Sequence, residues 1–202
     1  MRAKRTLQAA ALIAAAVLLG LLTVQGSYAL WNASVTATAG TVTAASFDVA
    51  LTAASTGTTT NMTLATGASA NLVMGPTAAL LPGGSVRAAV VVTNNSNAGG
   101  TFNTAVTVEP ATVANLSGGS LAQYLTVTAK KAASAAECDT TSGYAAIATA
   151  GLVSPAVPKT GSTVFCFQVT LSSSAPSAVK GDAVNITHKM TARQLCGVPG
   201  GC

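Results

Sequence analysis

Short runs in which apolar and polar residues alternate recur along most of the chain, separated by glycine, proline, asparagine and serine. A period of two puts successive side chains on opposite faces of an extended backbone, so each run predicts a half-buried β-strand. Residues 34–38 and 41–52 alternate first, and in the second run Phe47, Val49 and Leu51 share a face opposite Ser46, Asp48 and Ala50. Residues 53–60, AASTGTTT, read as a loop, and weaker strands are predicted at 61–66 and 70–74. The turn Leu81-Pro82-Gly83-Gly84 then introduces the strongest hairpin. Val86, Ala88, Val90 and Val92 line one face of its first strand, residues 94–100 turn the chain, and Phe102, Thr104, Val106 and Val108 return.

After Pro110 the pattern predicts a loop with one helical turn near 111–116, then a strand at 123–129. Residues 132–162 are loop-rich, and Pro155 and Pro158 lack the N–H that a sheet ladder needs. A strand at 162–171 sets Phe165, Phe167, Val169 and Leu171 on one face and Cys166 on the other. A last strand, 183–194, groups Val184, Ile186, His188, Met190 and Ala192. Helical periodicity is almost absent. Eight or nine such strands predict an all-β fold, an antiparallel β-sandwich of jelly-roll or Ig-like kind, and propensity does not choose between the two.

The first residues follow a different rule. Arg2, Lys4 and Arg5 precede an uncharged apolar run from Ala9 to Val24, with the small residues Ser27 and Ala29 at the spacing a signal peptidase reads. The run would span roughly 24 Å as a helix, short of a bilayer core of about 30 Å. The expectation is therefore a signal peptide over 1–29, cut between Ala29 and Leu30, and one secreted domain over 30–202. The membrane is met only through the signal before cleavage. No cysteine lies near the cut, which argues against a lipid-anchored product.

Three of the ten basic residues leave with the signal while all five acids stay, so the balance falls from +5 to +2. The only adjacent basic pair that remains is Lys130-Lys131, without interleaved aromatics, and nucleic acid drops out as a partner. Low charge with abundant threonine, serine, alanine and glycine suits an extracellular surface whose contacts are hydroxyls and backbone. Frequent alanine also predicts a thinly packed core, for which covalent staples are useful.

Cys138, Cys166, Cys196 and Cys202 remain in an exported chain, so disulfides are expected, with three connectivities open. Cys138 with Cys166 would pin the long loop to a strand, and Cys196 with Cys202 would close CGVPGGC; this pairing is favoured. No CxxC pair exists and the single histidine flanks no cysteine, so neither a metal nor another cofactor is expected. His188 falls on the apolar face of the last strand, where a lone histidine reads as a satisfied core residue. There is no His-Glu-x-x-His and no Gly-x-Ser-x-Gly elbow, and the acids Asp48, Glu109, Glu137, Asp139 and Asp182 are scattered. Enzyme activity is not expected.

After cleavage Trp31, the only tryptophan, stands second in the chain and heads the alternating segment of 33–51. Gly26-Ser27-Tyr28-Ala29-Leu30-Trp31-Asn32, with the later step Gly40-Thr41-Val42 and the strand Phe47-Asp48-Val49-Ala50-Leu51, resembles a known export junction. It is that of proteins cleaved by SipW-type signal peptidases, the TasA/camelysin group of biofilm-fibre and cell-surface proteins. The shared pattern is Gly-Thr/Ser, an aromatic, a small residue, a second aromatic, then a strand ending apolar-acid-apolar. Many members carry an acid shortly after the second aromatic, where this chain has Asn32-Ala33.

Together with the signal before it, the resembling junction covers about a quarter of the chain and implies a SipW-type peptidase as processing partner. It also implies assembly by strand donation, in which a free terminal strand completes the sheet of another subunit. Residues 30–44 would be that donor, with Trp31, Val35 and Val42 as its assembly residues. The expected function is a secreted structural protein of the cell surface or biofilm matrix that polymerises into fibres. The alternative is a monomeric adhesion module binding another surface protein through the loops at 53–60, 94–100 and 132–162. A remote third is a surface metalloprotease, since camelysin-type relatives have been described as such, but the chain offers one imidazole at most.

Overall fold

The computed structural model describes residues 12–19, 46–62, 71–73, 79–97 and 102–195. Two units are distinguished, Met1–Thr43 and Ala44–Cys202. Of the first, residues 12–19 are helical, with Leu12, Ile13, Val17, Leu18 and Leu19 exposed. No described helix is long and apolar enough to cross a membrane.

The regular structure of the second unit's described residues is mostly β, with ten strand segments where eight or nine were expected: β1 Val49–Ala53, β2 Thr59–Asn61, β3 Ser85–Asn94, β4 Thr104–Val108, β5 Thr112–Asn115, β6 Leu125–Ala132, β7 Leu152–Val153, β8 Ser162–Leu171, β9 Val184–Thr187 and β10 Met190–Gln194. They form three sheets, ordered β2-β1-β3-β8-β6, β10-β4-β7 and β5-β9. Every strand pairing is antiparallel.

The inner face of the five-stranded sheet follows from period-two alternation. Leu51 lies opposite Val92, Val90 opposite Phe165, and Ala129 opposite Phe167. These side chains share one buried cluster with Val106 and Val108 of the three-stranded sheet, and Met190, Ala192 and Leu152 pack on it partly buried. Removing this apolar surface from water is the main term that holds the sheets together.

The predicted hairpin of residues 85–108 does not form. β3 pairs with β1 and β8, while β4 pairs with β10 and β7, so the connection crosses from one sheet to another. Asn94, fully buried, accounts for the crossing: its Nδ2 donates to the carbonyls of Phe102 (2.9 Å) and Val157 (3.1 Å), and its Oδ1 accepts from Ser96 N–H (3.2 Å). The Phe102 carbonyl and the Ser96 N–H are thereby satisfied without a ladder, while the Val157 carbonyl also accepts from Thr104 N–H.

Four further expectations are corrected. Residues 112–115 are a strand paired with β9, not a helical turn; the first of three 3-10 segments among the described residues of this unit follows at Leu121–Tyr124. Residues 53–60 are not all loop, since Ala53 ends β1 and β2 begins at Thr59. Residues 71–73 are not strand; the remainder of 61–66 and 70–74 beyond Met62 lies outside the described residues. The last strand is interrupted: Val108 faces Met190 and Thr112 faces Thr187, so residues 109–111 oppose only 188–189. That is a β-bulge, and Pro110, which cannot donate to a ladder, sits in it.

Candidate functional site

Loop 133–147 folds over the outer face of the five-stranded sheet. Cys138 and Cys166 are joined by a disulfide, with Cα atoms 5.2 Å apart, which fixes the loop to β8 at the face opposite Phe165 and Phe167. The bridge is buried in a small second cluster with Ala89 and Val164, against which Val91, Ala135 and Tyr144 pack. Tyr144 Oη donates to the Cys138 carbonyl (2.6 Å), and Lys130 Nζ lies 4.6 Å from the Tyr144 ring centre. The same ammonium donates to the Thr140 carbonyl and hydroxyl (3.2 and 2.7 Å) and to the Ser142 carbonyl (2.9 Å). Lys130 therefore closes the loop from below, and the one aromatic of these loops that could have faced a ligand is half-buried instead.

Glu137 and Asp139 flank the bridge. The Glu137 carboxylate accepts from Ala133 N–H (3.3 Å) and Ser134 Oγ (3.2 Å), so it is used inside its own turn. A shallow cleft of about 400 Å³ beside it is lined by Lys131, Glu137, Pro155, Val157, Ser162 and Thr163 among others. Among the described residues no three metal-ligating side chains converge.

His188 sits at the bulge. Its ring packs on Phe167, centres 4.5 Å apart, and its Nδ1 lies 3.2 Å from the Glu109 carbonyl. A carbonyl only accepts, so Nδ1 carries the proton and Nε2 is the bare nitrogen; Nε2 is buried with no hydrogen-bond partner among the described residues. The nearby Glu109–Lys189 ion pair, 3.0 Å, is substantially exposed on both sides. Burial lowers the His188 pKa below its ordinary 6.5, with the Glu109 carbonyl opposing in part.

The folded chain thus resists a proton that the unfolded chain accepts, so stability falls as pH drops below about 6.5 towards the folded value. As the only histidine, His188 is the side chain that ordinarily titrates in this window. Thermal unfolding midpoints of the wild type are expected to fall between pH 7 and pH 5. In His188→Asn, which keeps a donor for Glu109 and does not titrate, that part of the fall disappears; an identical fall in both proteins would refute this account.

The sheet edges complete the picture. Glu109 N–H donates to the Lys189 carbonyl and Leu195 N–H to the Asn103 carbonyl, which fixes the parity of β10. Thr191 and Arg193 direct their main-chain groups at β4, while those of Met190, Ala192 and Gln194 point outward and meet no strand among the described residues. On β6, Ala129 exchanges two main-chain bonds with Ala145, so the outward groups of that edge are interrupted midway.

Of the residues singled out in the sequence, Cys138 and Cys166 are brought together. Ala29, Leu30, Trp31, Val35, Val42, Cys196 and Cys202 lie outside the described residues. The outward face of β10 was not found from sequence, because alternation assigns side chains to faces and is silent about which strand ends a sheet. No family model, curated protein or solved structure matches the chain.

Proposed function

We propose that the chain is exported and processed between Ala29 and Leu30 by a SipW-type peptidase. It then serves as a structural subunit that assembles into surface or matrix fibres. In this reading the five-stranded and three-stranded sheets are the layers of an antiparallel sandwich, which their shared buried cluster supports. Residues 30–44 are the donated strand, with Trp31, Val35 and Val42 seated on the receiving subunit, and Cys196 and Cys202 form a second bridge.

The observation that carries the proposal is that the outward main-chain groups of the β10 edge meet no strand among the described residues, while an alternating segment precedes them in the sequence. Unpaired edges bind extended segments through main-chain hydrogen bonds. A segment given head-to-tail makes a contact that does not close, and the product is a filament. The adhesion-module reading is weaker, because Tyr144 packs against Lys130 and Cys138 rather than outward.

The test is deletion of residues 30–44 from the processed polypeptide. Full-length processed protein should form particles of high mass, the deletion should remain a folded monomer, and assembly that survives the deletion would dismiss residues 30–44 as donor.

A further inference from the structure

Resting on that reading, we infer that β10 is the accepting edge, taking residues 34–38 of a second copy of this chain as an added strand. The parity of β10 turns the N–H and C=O groups of Met190, Ala192 and Gln194 outward in one row that meets no strand among the described residues. The same residues, by alternation, turn their side chains to the core face, and Met190 and Ala192 pack on the main cluster while only partly buried. An added strand here would gain main-chain bonds and cover the exposed part of Met190 and Ala192 at once.

Residues 34–38, Ser-Val-Thr-Ala-Thr, match that edge in length and pattern. β10 is five residues long, and in the segment Val35 and Ala37 would face the core while Ser34, Thr36 and Thr38 face water. The other edges fit less well: β7 has two residues and β2 three. β6 is interrupted at Ala129, and the β5–β9 pair contributes none of the main cluster among the described residues.

The experiment uses the processed chain, residues 30–202, as wild type, Ala192→Pro and Val127→Pro, followed by sedimentation and electron microscopy. The Ala192 N–H points away from β4, so proline there removes an outward donor and leaves the β4 ladder intact. Ala192→Pro should raise the concentration needed for assembly by about tenfold or more while remaining folded. Val127→Pro, at the β6 edge, should assemble as the wild type does.

Normal assembly of Ala192→Pro overturns β10 as acceptor and leaves strand donation standing. A wild type that stays monomeric removes both. As a check independent of proline, Thr36→Cys chains mixed with Arg193→Cys chains should give intermolecular disulfides during assembly. A cross-link that forms only within single chains carrying both substitutions would show the edge filled by its own segment and would overturn the inference.

Discussion

Replacing Cys138 and Cys166 together by alanine is expected to lower stability by about 3.5 kcal/mol and the melting temperature by roughly 10 °C. The bridge spans 28 residues, and restricting a loop of that length in the unfolded chain gives a figure of that size in the chain-entropy account. Conversion to temperature uses about 2–4 °C per kcal/mol for a domain of this size. The native state adds a second term. Both half-cystines are buried on the outer face of the five-stranded sheet, and the bridge sits in the cluster through which loop 133–147 rests on it. The variant should therefore be cleaved by proteases within 133–147 before it unfolds as a whole. A melting temperature within 2–3 °C of wild type would mean that Lys130 and Tyr144 hold the loop without the bridge.

Phe165→Ala is expected to cost about 3–5 kcal/mol, the largest effect of any single substitution considered. Phe165 has no exposed surface and lies between Val90 on β3 and Lys131 on β6, facing Val106 and Val108 across the core. Its neighbours are mainly valine and alanine, whose short side chains cannot reach into the space a missing ring leaves, so the cavity persists. In urea the midpoint should fall with little change in slope, because the area exposed on unfolding is nearly the same. Phe165→Leu should cost only about 1–1.5 kcal/mol. Equal losses for the two would indicate a site that relaxes around either side chain.

The strands that alternation marks most strongly are where the sequence is most informative. Strand 162–171 coincides with β8, and its phenylalanines face the core while Cys166 faces away. Alternation fails at partners. Residues 85–94 and 104–108 have the pattern of a hairpin, yet side-chain hydrogen bonds from one buried asparagine send them to different sheets. The expected helical turn near 111–116 fails at 112–115, where pairing with β9 decides the conformation. The break at His188-Lys189 is set by Pro110 on the opposite strand, 78 residues earlier by the count to His188, and no window along the chain contains both.

The candidate site divides in the same way. Spacing made the Cys138–Cys166 pair legible, since a long loop preceding a strand is the place where one bridge can pin both. Inward packing of Tyr144 was not legible, because it depends on Lys130, which reaches the ring from a neighbouring strand. The parity of β10 likewise needed the bonds from Glu109 and Leu195 before its outward residues could be named.

The central claim is that the processed chain completes its neighbour. Electron microscopy of residues 30–202 across a rising concentration series tests it most directly. Filaments whose length grows with concentration are predicted; particles that stay single at every concentration would contradict it.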